Sequence, residues 1–194
     1  MGLTTMILGL VLLLGVHALT TRRELRARLV ASLSEGGYKV CYALVSLAGL
    51  VLIAWGFAGY RAAGQIEIWQ PPAALKYVTD VLMLPAVILV VASYVRGRIY
   101  ATLKHPMLAG VKLWAAAHLI ANGDLGSIIL FGSFLGWAVF DRISLKSRAD
   151  SGAPPIPVGG VSNDAIAIIM GVVVYLALGL VFHPVVIGVA VFGA

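Results

Sequence analysis

Charge and sulfur are both scarce in this chain. Only 11% of its 194 residues are Asp, Glu, Lys or Arg, against about a quarter in a soluble domain. A full 61% are hydrophobic, and the mean hydropathy is +1.00. These values exclude a water-soluble globular enzyme. The single cysteine, Cys41, excludes an intramolecular disulfide, a CxxC redox pair, a cysteine zinc cluster and the CxxCH attachment of a c-type haem. Any haem is therefore held without thioether bonds. Paired carboxylates, HExxH, a His-rich tract, GxSxG, a P-loop and a GxGxxG after a strand are all missing. Hydrolase and nucleotide-dependent activities lapse with them.

What is present is a series of apolar runs near the length, about 20 residues, that crosses a bilayer as a helix. They predict an all-α, polytopic transmembrane bundle of about six spans, at 3–19, 40–60, 73–95, 106–121, 125–140 and 165–191. The first run has no basic residue before it and an Arg cluster after it, so it reads as a retained anchor. The net charge of +6 is not a nucleic-acid signal, because the basic residues sit in the connections. The first, third and fifth loops carry Arg22, Arg23, Arg26, Arg28 and Lys39; Arg96, Arg98 and Lys104; and Arg142, Lys146 and Arg148. Eleven of the fourteen basic residues thus lie on one side. The positive-inside rule places those loops in the cytoplasm and both termini outside.

Residues 1–148 read as one membrane domain. The Pro/Gly-rich stretch 149–164 reads as an irregular linker and 165–191 as a final span. The connection Asn122-Gly123-Asp124 is short enough to make spans four and five an antiparallel hairpin, with Asp124 the N-cap of span five. Pro85 predicts a kink in span three, its freed carbonyl satisfied by a neighbouring helix, a side chain or water. No internal repeat is visible, which argues against an inverted-repeat transporter. The 22 glycines are spread through the spans as packing residues.

Ionisable side chains in hydrocarbon mark interior faces or functional sites. Here they are His17, Asp80, Lys112, His118 and His183, with His105 at a span entrance. On span four His105 and Lys112, seven residues apart, share a face, whereas His118 lies about 220° round from His105. Trp114 and Asn122 share the His118 face. Asp80 and His118 both fall in the outer halves of their spans, so Asp80 either orients His118 or pairs with Lys112. His183, before Pro184, reads as an interfacial residue at a helix break. His105, before Pro106, reads equally as a helix start. His17 stands in an apolar run, where a backbone carbonyl would satisfy it. Two histidines on different helices are able to clamp a b-type haem without cysteine.

Lys104 to Asp124 (KHPMLAGVKLWAAAHLIANGD) and Phe131 to Lys146 (FGSFLGWAVFDRISLK) resemble the bacterial NnrU family. His17 before its Arg cluster, Tyr38-Lys39, Ser46-Leu47, Trp69-Gln70-Pro71-Pro72 and Leu82-Met83-Leu84-Pro85-Ala86 agree with it. The resemblance covers residues 1 to about 148 and implies a multi-pass protein of the bacterial inner (cytoplasmic) membrane. It further implies a link to denitrification, through nitrite and nitric oxide reductases. The family is similar to plant-type zeta-carotene isomerases, which hold a haem b by histidines. Their block also has a His-Pro and a second His thirteen residues on, as at His105 and His118, and an early His like His17.

The ligands this resemblance implies are His17 and His118. Depth along the spans alternatively pairs His17 with His105. His105 and Lys112 then line the cytoplasmic approach and hold haem propionates, and Asp80 and Asn122 orient His118. Carotenoid or quinone substrates would enter from the lipid; nitric oxide needs no polar path. Respiratory or denitrification proteins are the expected partners.

Two alternatives belong to other classes. The Lys-His-Pro-x-x-x-Gly stretch ending at Asn122 looks like part of S-adenosylmethionine-dependent membrane methyltransferases, but Asp141-Arg142 stands where those have a Glu-Glu pair. A non-enzymatic assembly or sensing partner of a respiratory complex would tolerate His118→Ala.

Overall fold

The computed structural model describes residues 1–147 and 157–192, and all regular structure among them is helical. The helices are α1 (Gly2–Leu19), α2 (Arg23–Ala62), α3 (Ala74–Ala92), α4 (Arg98–Leu103), α5 (Pro106–Ala121), α6 (Leu125–Lys146) and α7 (Val161–Ala177). The last continues as a π-helical segment, Leu178–Ile187. Among the described residues, five helices are long and apolar enough to cross a membrane: α1, α2, α3, α6 and α7 with its extension. The expected fourth span, α5, has 16 residues. It rises about 24 Å, short of the roughly 30 Å hydrocarbon core. Large apolar side chains such as Leu44, Leu47, Trp55, Val173 and Leu180 are exposed, which suits a lipid environment.

Two boundaries depart from the sequence expectation. The Arg-rich stretch after α1, read as a loop, is helical from Arg23. Arg, Glu, Leu and Ala dominate it, all strong helix formers, and Leu25, Leu29 and Leu33 fall at a four-residue spacing. Ser34, at φ 63 and ψ 164, breaks this helix from the membrane part of α2, and its Oγ accepts from Gly37 N–H at 3.2 Å, as an N-cap would. One turn on, Lys39 and Glu35 pair at 2.7 Å, and this hydrogen-bonded ammonium holds the Glu35 carboxyl below its ordinary range. The last helix begins at Val161 instead of 165, with Asp164 in its first turn, where an acid complements the helix dipole. Of the expected linker, 149–156 lie outside the described residues and 157–160 are irregular.

The chain divides into two compact units. The first comprises residues 1–69 and 123–147. In it α1 and α2 run antiparallel through a tight turn and meet along glycines seven residues apart on each helix, near two full turns. Gly9 lies against Gly49 and Ile53, and Gly2 and Met6 lie against Gly56. Each of these contacts reaches backbone, so a Cβ at either glycine would push the helices apart. Met6 is fully buried there, beside Leu10 and Ile53. α6 packs on α1. Its first turn is capped as expected, Asp124 Oδ1 accepting from Ser127 N–H at 2.9 Å. Gly126 lies against the Tyr60 ring. Backbone bonds from Leu125 N to Ile66 O and from Ile68 N to Gly123 O, both 2.9 Å, tie the start of α6 to the segment after α2.

The second unit comprises residues 70–122 and the described part of 148–194. Here α3 packs on both α5 and α7. Gly110 of α5 lies against Ala86 O, and Gly171 of α7 against Ile88. Two hydrogen bonds cross these interfaces. Buried Thr79 Oγ1 donates to Ala117 O at 2.8 Å, and Tyr175 Oη donates to Asp80 O at 3.1 Å. The second lies one residue before Val81, whose carbonyl Pro85 deprives of a helical donor. The tyrosine thus bonds the carbonyl next to the one that the proline frees, and not that one itself. Asp164 Oδ1 accepts from Ile99 N–H at 3.0 Å. It caps α4 in place of Gly97, which has no side chain to do so.

Candidate functional site

Each membrane-segment histidine is held by the same local device. His17 Nδ1 bonds Leu13 O at 2.7 Å, His118 Nδ1 bonds Trp114 O at 2.9 Å and His183 Nδ1 bonds Leu178 O at 2.9 Å. A carbonyl oxygen only accepts, so Nδ1 carries the proton in all three rings. The lone pair of the neutral imidazole is then on Nε2. Such a second bond, fixing tautomer and ring orientation, is characteristic of metal-ligating histidine.

In the first unit His17 stands among aromatic rings. The centroid of Tyr42 is 5.2 Å away, and Trp137 of α6 meets it edge-on at 5.6 Å. Tyr38 lies one turn before Tyr42 on α2, 6.2 Å from it, with the Arg26 guanidinium over its face at 5.4 Å. Tyr38 Oη and Trp137 Nε1 are buried and make no hydrogen bond. Composition does not reveal this group, because Tyr38, Tyr42 and Trp137 come together only when α1, α2 and α6 pack. The signal available was the four-residue spacing of the two tyrosines.

In the second unit His118 and His183 come together, their ring centroids 6.4 Å apart and their planes 27° from parallel. Trp114 lies 5.4 Å from His118 and Phe182 lies 6.0 Å from His183. His183 sits in the π-helical segment with Pro184, the kind of distortion often found at functional sites. Reading His183 as an interfacial residue missed this juxtaposition, although the His-Pro pair did mark a helix break.

The other candidate residues fall differently. Asp80 is close enough to His183 for their charges to interact. Neither expected partnership is present, since no hydrogen bond joins Asp80 to His118 and no ion pair joins it to Lys112. The tyrosine that reaches Asp80 bonds its backbone carbonyl and not its carboxylate. Lys112 is half-buried on α5. Asn122 ends α5, its Nδ2 donating to His118 O at 2.8 Å. It therefore fixes the backbone below His118 and does not touch the ring. His105 begins α5, with Pro106 at the first helical position. His17 and His118 belong to different units.

Among the described residues no three His, Cys, Asp or Glu side chains converge as metal ligands. A metal held wholly by protein groups generally needs at least three such ligands. A haem iron needs only one or two, because the porphyrin supplies the rest. The donor set, imidazoles oriented through Nδ1 with aromatic rings beside them, is of a kind that could hold a haem.

No curated protein and no solved structure matches the chain. The family model described as NnrU protein matches residues 5–191 and so takes in the last helix as well as the segments before it. On that match over nearly its whole length, the chain belongs to the NnrU family.

Proposed function

We propose that this NnrU-family membrane protein binds haem b through membrane histidines and resides in the bacterial inner membrane. Both termini lie outside, with the three basic segments in the cytoplasm, as the distribution of Lys and Arg supports. The observation that carries the cofactor reading is the shared anchoring of His17, His118 and His183 through Nδ1. His118 would be one of the residues that hold the iron. His17, which the resemblance implies, is its partner; the 6.4 Å approach of His183 favours that residue as a second reading. His105 and Lys112 hold the propionates. Asp80 sets the charge near His183, and Asn122 holds the end of α5 that carries His118.

Haem held there would supply redox chemistry, nitric oxide binding or isomerisation of a cis double bond, the last as the resemblance to carotenoid isomerases implies. The residues' own part is to fix the imidazole tautomers, exclude water and admit a hydrophobic substrate or nitric oxide from the lipid. That role fits a link to denitrification and nitric oxide metabolism.

The test is the visible spectrum of the full-length protein after haem-replete expression, oxidised and dithionite-reduced. The expected result is a stoichiometric low-spin b-type spectrum. It is lost in His118→Ala and in one of His17→Ala or His183→Ala, which identifies the pair. A colourless wild type refutes the reading and turns attention to S-adenosylmethionine binding and to partner capture.

A further inference from the structure

In the second unit the chain leaves α3 at Ser93 and turns through Tyr94, Val95 and Arg96 toward α4. The start of the last helix is tied to this turn. Gly159 N–H donates to Arg96 O at 2.7 Å and Asn163 Nδ2 donates to the same oxygen at 3.0 Å. Between them opens a cleft of about 470 Å³ lined by Ser93, Tyr94, Val95, Arg96, Pro157 and Asn163. Its volume falls within the range of small-molecule sites.

The Arg96 guanidinium is only partly satisfied in this cleft. Its Nε donates to Ser93 O at 3.4 Å, and its plane carbon lies 4.8 Å from the centre of the Tyr100 ring. Nη1 is buried and has no hydrogen-bond partner. An arginine cannot escape such a state by losing its proton, and a buried, unsatisfied charged donor is costly. Asp164 Oδ1 accepts from Ile99 N–H, and among the described residues no ion pair joins Asp164 to Arg96. Arg98 and Lys104 add positive charge nearby, and no acidic residue occurs between Asp80 and Asp124 in the sequence. An anion is the missing partner. Its position narrows the class. α3 ends at Ala92, so the cleft lies where an apolar helix emerges, at head-group level, and Tyr94 is 76% exposed beside it, as interfacial aromatics are. The fork of a guanidinium matches phosphate oxygens.

We propose that this cleft binds a phosphate group through Arg96, supplied by an anionic phospholipid head group or by free phosphate. Basic pockets between membrane helices recognise head groups by the same chemistry. The site is independent of the haem reading and of the side of the membrane on which it lies.

The test uses the full-length protein in mild detergent, with native mass spectrometry and thermal shift in phosphatidylglycerol, phosphatidylcholine or inorganic phosphate. Phosphatidylglycerol is expected to be retained over phosphatidylcholine by about fivefold, because both carry the phosphodiester but the choline cation of the second offsets its charge beside Arg96. Arg96→Gln abolishes that preference, whereas Arg98→Gln and Lys104→Gln reduce it far less. Stabilisation by inorganic phosphate, with displacement of lipid, identifies free phosphate as the source; a response to lipid alone identifies the head group. Should Arg96→Gln fail to fold, Arg96→Lys keeps the charge without the fork and shows an intermediate loss. The proposal is overturned if the wild type responds neither to phosphatidylglycerol nor to phosphate. It is equally overturned if folded Arg96→Gln binds like the wild type, or if all three glutamine variants lose binding equally.

Discussion

Replacing Gly56 by alanine adds one methyl group where α1 leaves no space for it. The new Cβ would fall on the backbone of Met6, within contact distances that real Cβ atoms do not show. Because the obstacle is backbone, no rotamer change relieves it, and α1 and α2 must separate. Three residues on, Gly59 faces the same helix with its nearest atom, Gly2 Cα, at 3.7 Å, an ordinary van der Waals contact. Both substitutions gain the same helix propensity, about 1 kcal/mol. Only Gly56→Ala bears the cost of overpacking, about 1–3 kcal/mol, together with loosened packing around Met6 and Ile53. The expected result is that Gly59→Ala is neutral or stabilising by up to about 1 kcal/mol, and that Gly56→Ala is destabilising by roughly 1–2 kcal/mol. A chain of this length shifts in Tm by about 2–4 °C per kcal/mol, so thermal denaturation of the two variants in one detergent separates them by several degrees. If both variants shift equally and in the same direction, close backbone approach at Gly56 does not set the α1–α2 spacing.

Thr79→Val removes the buried bond to Ala117 O and is expected to cost about 0.6 kcal/mol, the average for interhelical bonds in membranes, and at most about 1.7. Thr79→Ser, which keeps the donor, should retain most of that stability, as read by denaturant titration. Asp124→Ala, which leaves Ser127 N–H without its cap, is expected to lose about 1 kcal/mol, while Asp124→Asn loses little. Ser34→Gly should raise Tm: the φ 63, ψ 164 conformation strains a side-chain-bearing residue by about 1–3 kcal/mol. Replacing the Ser34 cap by glycine costs only a few tenths. A lower Tm for Ser34→Gly would mean that its hydroxyl matters more than its backbone geometry.

The membrane character and helical class of the protein follow from composition alone, because a bilayer demands long apolar segments and helices satisfy every backbone group within them. Local signals carried equally far: Asp124 before an apolar run is a cap, and Pro106 starts a helix. The segment 23–33 was misread because its charges suggested a loop, whereas its helix formers and leucine spacing decide the structure. The motif block around His105 and His118 led to the family, and the family match then extended through the last span. Which polar groups meet was settled otherwise. Asp80 lies at a depth where either His118 or Lys112 is a fair partner, yet the packing of α3 on α7 brings Tyr175 to its backbone instead. The approach of His183 to His118 joins residues 65 positions apart on helices whose rotation is fixed by neither hydropathy nor charge. Tyr38, Tyr42 and Trp137 gather around His17 for the same reason. Sequence determines how far each helix extends and which residues lie on its faces. The rotation of each helix against its neighbours is fixed by close contacts at small residues such as Gly56, Gly110 and Gly171, and these exist only in the packed structure.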